Sequence, residues 1–343
     1  MSVSLGSAIV DPLAETRAFR QALLQGLGGT DKRVPAKYLY DSVGSALFDR
    51  ICSLPEYYLA RVENALLARH GREIAHLMGP SATLVEFGAG SLTKADLILS
   101  KLTNASSYAP IDISSRHLRE MATSLRRRRP NLNVYPIEAD YMASIVLPTA
   151  VKRSLKAGLF LGSTIGNLDR SEAISFLRTA AALLDGGGLL VGVDLIKHPE
   201  LLHAAYNDSE GVTAEFNKNL LARANRDLGA DFALNDFAHY AFYNVPQRKM
   251  EMHLVSLTRQ EVRVAHHSIE FNKGDTIHTE DSHKYTPEEF DKLTIEAGLI
   301  PVRSWQDDAR AFSLHWLACR GGQPAEIPRY VASSQRDSAA VPR

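Results

Sequence analysis

The sequence predicts an α/β fold, a doubly wound and mostly parallel sheet with helices on both faces, joined to a second unit of mixed α+β character. Three observations predict it. Short apolar runs alternate with helical patterns between residues 60 and 197. That rhythm breaks between 198 and 280, and a capped helix followed by two strand patterns resumes it near the carboxyl end.

The strand patterns are Thr83 to Phe87, Tyr108 to Ile113, Asn133 to Ile137, Gly158 to Leu161 and Gly188 to Asp194, each short, apolar and bounded by turn formers. Ser171 with Glu172 opens a helix whose apolar spacing runs through Ile174, Leu177 and Leu184, and Asp185 with Gly186 to Gly188 closes it. In the intervening unit a long helical stretch through Asn225 precedes Phe232 to Tyr243 and two strand-like runs, Lys249 to Leu257 and Glu261 to Glu270. Thr286-Pro287-Glu288-Glu289 starts a further helix reaching Gly298, and Pro301 to Trp305 with Phe312 to Cys319 would complete the sheet as a hairpin. Residues 323–343 carry Pro, Ser, Ala and Arg without periodicity and read as a disordered tail.

Composition bounds the function classes. Lys plus Arg equals Asp plus Glu at 39 each, so no global field gathers nucleic acid or an anionic membrane, and a small-molecule partner is expected. The basic run Arg126 to Arg129 ends a predicted helix, where cations complement the dipole on a solvated face. Cys52 and Cys319 lie far apart and outside any C-x-x-C spacing, which argues against disulfides, a zinc ribbon or a redox pair and fits a reducing cytoplasm. No apolar run is long enough to cross a bilayer, and the order of a secretory signal is missing, so export is not expected.

Val85-Glu86-Phe87-Gly88-Ala89-Gly90 sets an acid and two glycines at the end of the first strand of the alternating region, where open α/β sheets bind cofactors. A dinucleotide fingerprint would place a third glycine at the following helix, but Leu92, Thr93 and Lys94 stand there, which favours a nucleoside cofactor without pyrophosphate. Asp112, ending the second strand, can accept hydrogen bonds from both ribose hydroxyls, and Asp140, just after the third, can face an adenine amino group. Acids at such positions also serve as helix N-caps, a reading that stays open for Asp140. As a set with Gly88 and Gly90 they resemble the class I S-adenosylmethionine-dependent methyltransferases, whose Rossmann-like doubly wound sheet the alternation matches.

The resemblance becomes specific at Lys37-Tyr38-Leu39-Tyr40-Asp41-Ser42-Val43-Gly44-Ser45-Ala46-Leu47-Phe48-Asp49 and Leu54-Pro55-Glu56-Tyr57-Tyr58. Phe160-Leu161-Gly162-Ser163-Thr164-Ile165-Gly166-Asn167-Leu168, Ala205-Tyr206-Asn207-Asp208, Gly211 to Asn217, Met250-Glu251-Met252 and Thr279-Glu280-Asp281-Ser282 follow in order. These stretches are similar to the histidine Nα-methyltransferases of ergothioneine biosynthesis. The resemblance implies a methyltransferase domain of 61–197 plus 286–322 and a substrate domain of 9–60 plus 198–285, with histidine between them. It implies S-adenosyl-L-methionine as cofactor, leaving as S-adenosyl-L-homocysteine, held by Glu86, Gly88, Gly90, Lys94, Asp112, Asp140 and Tyr141. It further implies that Asn167 and Tyr206 hold the substrate carboxylate and that Tyr57 and Asn167 orient the amine as the catalytic pair. Glu280 and Ser282 would grip the imidazole, helped by Tyr40, with Met252 lining the pocket. The partners it implies are L-histidine and its mono- and dimethylated forms, taken by a monomer.

The residue types suit that chemistry. Methyl transfer is an in-line displacement at a sulfonium-bound carbon, so the enzyme needs a neutral amine lone pair aimed at near-attack distance and no nucleophilic Ser, Cys or metal. Neutral donors such as Tyr57 and Asn167 hold an amine without stabilising its ammonium form, as a close carboxylate would. Two residues apart on an extended strand, Glu280 and Ser282 share a face and can address two ring nitrogens. Taken singly, Tyr40, Tyr57 and Tyr206 are ordinary half-buried tyrosines, Met252 is core filler and Asn167 a turn residue; the surrounding words set them apart. His266-His267 and His278 with His283 lack metal-ligand spacing and read as surface histidines, so no metal is expected. Ala89, where a small polar residue is common, and Ser91-Leu92-Thr93-Lys94-Ala95, in place of T-S-x-K-T, depart from the family at the methionine end of the cofactor. The nearest rivals are a family member acting on tryptophan or a prenylated derivative, which the Glu280 and Ser282 pair disfavours because indole has one N–H and no acceptor nitrogen, and a non-catalytic S-adenosylmethionine-binding protein.

Overall fold

The computed structural model describes residues 12–90, 92–102, 104 and 107–319. The expected tail at 323–343 lies outside the described residues, as do Ser91 and the outermost positions, 9–11 and 320–322, of the two expected domains. In chain order the strands are β1 (Lys32–Arg33), β2 (Thr83–Phe87), β3 (Ser107–Asp112), β4 (Asn133–Val134), β5 (Ile137–Glu138), β6 (Lys156–Phe160) and β7 (Gly188–Asp194). They continue as β8 (Phe237–Asn244), β9 (Lys249–Ser256), β10 (Gln260–Val264), β11 (His267–Phe271), β12 (Thr276–His283), β13 (Ile300–Gln306) and β14 (Phe312–Ala318). The helices are α1 (Pro12–Leu27), α2 (Ser42–Ile51), α3 (Tyr58–Met78), α4 (Leu92–Leu99), α5 (Ser115–Arg128), α6 (Thr149–Lys152), α7 (Arg170–Leu184), α8 (Pro199–Tyr206), α9 (Val212–Leu228) and α10 (Pro287–Glu296).

The larger sheet runs β13-β14-β7-β6-β2-β3-β4, with β5 also pairing β3. Its inner strands are parallel, and β14 and β13 close the β7 edge as an antiparallel hairpin. The chain builds outward from β2 through β3 and then returns to β6 on the other side, so the order reverses between β2 and β6 and opens a crevice at their carboxyl ends. Every residue of β2, β6 and β7 is buried, because helices cover both faces of a parallel sheet. The period of two then divides each strand: Leu84, Leu159 and Leu190 enter one apolar cluster, while Val85, Phe160 and Val191 enter the other. The first cluster continues through α1, α3 and α9 into a second sheet of order β1-β12-β9-β8.

Several elements differ from the sequence expectation. The third strand is two fragments, β4 and β5, interrupted at Tyr135-Pro136, where proline has no N–H to continue a ladder. Glu261 to Glu270 is a hairpin, β10 and β11, reversing at Ala265 with φ 54°. Asp169, not Ser171, caps α7, in a box with Glu172 in which each side chain satisfies the other's backbone N–H. The basic run does end α5, but it is not simply solvated: Arg128 and Arg129 both pair with Asp96, and Arg126 donates to the Val134 carbonyl. The domain border expected at 60/61 falls inside α3. Among the described residues no helix is long and apolar enough to cross a membrane.

Candidate active site

The crevice at the β2 end is shaped by backbone. Gly88 has φ +72°, a conformation that side chains disfavour, and the N–H groups of Gly88 and Ala89 both donate to the Ile111 carbonyl at 2.9 and 3.1 Å. A Cβ on Gly90 would meet nothing within 4 Å, so the turn opens onto space. Asp112 ends β3 and accepts from the Ser114 N–H at 2.8 Å. Asp140 follows β5, caps the Met142 N–H at 2.9 Å and pairs with Lys37 at 2.9 Å; no helix begins there, so the carboxylate holds a turn. The Tyr141 ring stands over Gly88 and packs edge-on against Phe160 and Phe176.

Two buried acids flank this crevice. Glu86 is 3% exposed and accepts from the Tyr108 hydroxyl; burial pushes its carboxyl up to about 7 against the opposing pull of Tyr108 and Lys94. Glu63 on α3 is fully buried, holds Lys94 Nζ at 2.5 Å and accepts the Gly162 N–H on both oxygens at 2.8 and 2.9 Å. Lys94, singled out for the cofactor, thus spends part of its charge on a carboxylate that the sequence reading did not identify.

The second constellation is built on β12. A register shift between His278 and Glu280 precedes the pair, and Glu280 and Ser282 then stand opposite Met252 and Met250 of β9 on one face. Glu280 Oε1 accepts from the Tyr40 hydroxyl at 3.2 Å and from Asn167 Nδ2 at 2.9 Å. Burial pushes the Glu280 carboxyl up to about 7, although those donors and Lys284 favour its charged form. Tyr206, at the end of α8, donates to Ser282 Oγ at 2.8 Å. The Tyr57 ring packs edge-on against Tyr206 at 6.3 Å, and burial holds its phenol neutral, well above the ordinary range. All seven residues singled out for the substrate, Tyr40, Tyr57, Asn167, Tyr206, Met252, Glu280 and Ser282, are therefore brought together.

One loop ties the two ends. After β6, Gly162 (φ +80°) lies beside Lys94, Ser163 sits in the left-handed region and accepts the Asp194 N–H, and the 3₁₀ turn Thr164–Asn167 delivers Asn167 to Glu280. Gly166 backs onto β12 so closely that a Cβ would sit 2.8 Å from the His283 carbonyl oxygen. Behind Ser282 lie residues missed from sequence: Lys284, Asp194, Tyr58 and Lys197, joined by a buried hydrogen-bond network. The alternation Glu280, Ser282, Lys284 was the available signal, since a period of two continues the same face.

The histidines correct one expectation. His266 and His267 are exposed at the β10–β11 turn, but His278 is half-buried, pairs with Asp281 at 3.0 Å and stacks on His253 at 4.7 Å. Packing of β9 against β12 places these rings on the face opposite Glu280. Glu251, His253 and His278 bring ligand-type atoms within 4.8 Å of one another, yet each Nε2 has a carboxylate partner and Lys249 supplies the countercharge.

Residues 19–319 match a family described as histidine-specific, S-adenosylmethionine-dependent methyltransferases. A histidine N-alpha-methyltransferase of Mycolicibacterium smegmatis is 38% identical across 92% of this chain and 98% of its own length. Ergothioneine biosynthesis protein 1 of Neurospora crassa is 31% identical over 88% of this chain, which spans 35% of that longer protein. An L-tryptophan methyltransferase of Psilocybe serbica is 27% identical over 91% of this chain and 96% of its own. With strand order, glycine turn and family match in agreement, the chain belongs to the histidine-specific, S-adenosylmethionine-dependent methyltransferase family.

Proposed function

We propose that the chain transfers methyl groups from S-adenosylmethionine to the α-amino nitrogen of L-histidine, ending at trimethylhistidine (hercynine), the first step of ergothioneine biosynthesis. The observation that carries the reading beyond family membership is the buried Glu280 carboxylate beside Ser282: the hydrogen bonds described for it both fall on Oε1, and Oε2 is left to accept a ring N–H. Ser282 stands two residues on, the next side chain along the same face, where it can address a second ring nitrogen.

The crevice fits the cofactor. Gly88 and Gly90 let backbone approach it, Asp112 would take the ribose hydroxyls, and Asp140 and Tyr141 would flank the adenine, with Glu86 and Lys94 toward the methionine end. The Lys37–Asp140 pair that now engages Asp140 is partly exposed, and solvent-screened pairs are worth roughly 0–1 kcal/mol, so a ligand can displace it. The sulfonium supplies the methyl group; the chain's residues supply aim. Asn167 spends one amide hydrogen on Glu280 and keeps another hydrogen and its carbonyl oxygen for the substrate amine and carboxylate. Tyr57 and Tyr206 are neutral hydroxyls with burial-raised pKa values: Tyr57 would orient the amine with Asn167 without stabilising its ammonium form, and Tyr206 would hold the carboxylate. Met252 closes the ring pocket beside Glu280.

The same reading has a monomer working in the cytoplasm on histidine and its mono- and dimethylated forms, without nucleic acid or membrane partners, in keeping with the balanced charge. Purified protein is incubated with S-adenosylmethionine and each amino acid in turn, and products are read by mass. Histidine is expected to gain about 42 mass units, about three methyls, and tryptophan none, because a site built around two polar groups rejects a ring that leaves one unpaired. Preferred methylation of tryptophan would reject the assignment.

A further inference from the structure

We propose that Lys284 is a positioning and specificity-determining residue that fixes Ser282 and Tyr206 as hydrogen-bond donors toward the substrate. The site then takes a neutral imidazole in one tautomer, its N–H toward Glu280 and its lone pair toward Ser282. The proposal rests on the histidine reading above.

Lys284 follows β12, two residues beyond Ser282, and its side chain is fully buried. An ammonium has three hydrogens and no lone pair. Here the three reach Asp194 Oδ2 at 2.7 Å, Ser282 Oγ at 2.7 Å and the Tyr206 hydroxyl oxygen at 3.1 Å. Burial alone would lower its pKa, but the Asp194 carboxylate outweighs that and holds the group charged. Asp194 is secured in turn by Lys197 at 2.6 Å and by the Tyr58 hydroxyl at 2.8 and 2.9 Å.

Because Lys284 can only donate, both hydroxyl oxygens it touches must accept, and their own hydrogens point elsewhere. One hydrogen is used between them, from Tyr206 to Ser282. Ser282 Oγ then accepts twice, which occupies both lone pairs and leaves its hydrogen for the pocket. If a substrate carboxylate draws the Tyr206 hydrogen away, both hydroxyls donate outward. In the first arrangement Ser282 has no lone pair left for a ring nitrogen, and in the second the ammonium 2.7 Å behind its oxygen favours donation over acceptance, so the nitrogen facing Ser282 carries the lone pair. Across the ring, Glu280 accepts. A carboxylate by itself would favour imidazolium, whereas an ammonium one hydrogen bond behind Ser282 disfavours it; the other groups around the ring, Tyr40, Tyr57, Asn167 and Met252, are uncharged.

The direct test is nitrogen NMR of ring-¹⁵N-labelled histidine bound to the full chain with S-adenosylhomocysteine at about pH 8, where Glu280 is ionised and the free ring exchanges between two tautomers. One N–H nitrogen and one lone-pair nitrogen are expected; two N–H nitrogens would overturn the proposal. In Lys284→Met the KM for histidine should rise about 10- to 100-fold with cofactor affinity within about twofold, as a charge-assisted bond pair is lost, and the bound ring should show mixed tautomers or imidazolium. An unchanged KM and ring state would refute the role. Should Lys284→Met not fold, Ser282→Ala provides the same reading, since it removes the donor and leaves Lys284 in place; a ring still locked in one tautomer would refute the proposal. A wild-type protein that methylates another amine but neither binds nor methylates histidine would reject the activity itself, a result distinct from the others.

Discussion

Glu280→Gln separates the stability of the empty site from its function. The substituted amide keeps an oxygen for the Tyr40 and Asn167 donors, so the change is confined to the charge and to the atom facing the ring. Glu280 is 8% exposed, and its carboxyl is pushed from an ordinary 4.5 up to about 7. Below about 4.5 the group is protonated in both folded and unfolded chains and costs nothing. Between about 4.5 and about 7 the unfolded chain ionises first and binds fewer protons, so stability falls as pH rises; above about 7 the penalty is complete. At about 1.4 kcal/mol per pKa unit, that gap amounts to about 3 kcal/mol. Urea unfolding of wild type and variant without ligands is therefore expected to give similar stabilities at about pH 4 and a variant more stable by about 3 kcal/mol at about pH 8. Histidine turnover should move the other way, because the ring N–H would meet an amide hydrogen, and kcat/KM should fall about 10- to 100-fold. Parallel pH profiles for the two proteins would refute the buried-carboxylate argument, and undiminished kcat/KM would refute the ring contact.

Two further outcomes follow from the geometry. Asp112→Ala should weaken S-adenosylmethionine binding about 10-fold or more, through loss of a charged acceptor, and leave histidine affinity measured with bound S-adenosylhomocysteine nearly unchanged; equal loss of both affinities by calorimetry would contradict the ribose role. Gly166→Ala would press a Cβ to 2.8 Å from the His283 carbonyl oxygen, so loop and strand must part. Its expected effects are about 1–3 kcal/mol of lost stability and a raised histidine KM with cofactor affinity retained, read by urea unfolding and steady-state kinetics; an unperturbed KM would show that the Asn167–Glu280 contact does not depend on that approach.

In the proposed reading, one loop couples cofactor and substrate. Gly162 contacts the Glu63–Lys94 pair beside the crevice, and five residues later Asn167 bonds Glu280. Methyl transfer by alignment alone needs the two ligands held in one frame, and a short loop pinned at both ends by buried acids would provide it.

The sheet, its crevice and the acids at its strand ends were legible in the sequence, because each depends on local periodicity and turn chemistry that survive in a linear string. Interruption of the third strand by Pro136 was legible in principle, since a missing N–H is a local property. The residues proposed for the substrate could be named from short words, but their mutual contacts could not: Tyr40 and Glu280 are 240 positions apart, and Asn167 and Glu280 are 113. Tertiary structure alone decided that Lys94 faces Glu63, that His278 is drawn into an ion network and that Lys284 stands behind Ser282. The reason is physical. Local pattern governs which backbone geometry a segment adopts, whereas the charge, pKa and hydrogen-bond polarity of a side chain depend on which distant groups exclude water from it, and those are set only when the chain closes on itself.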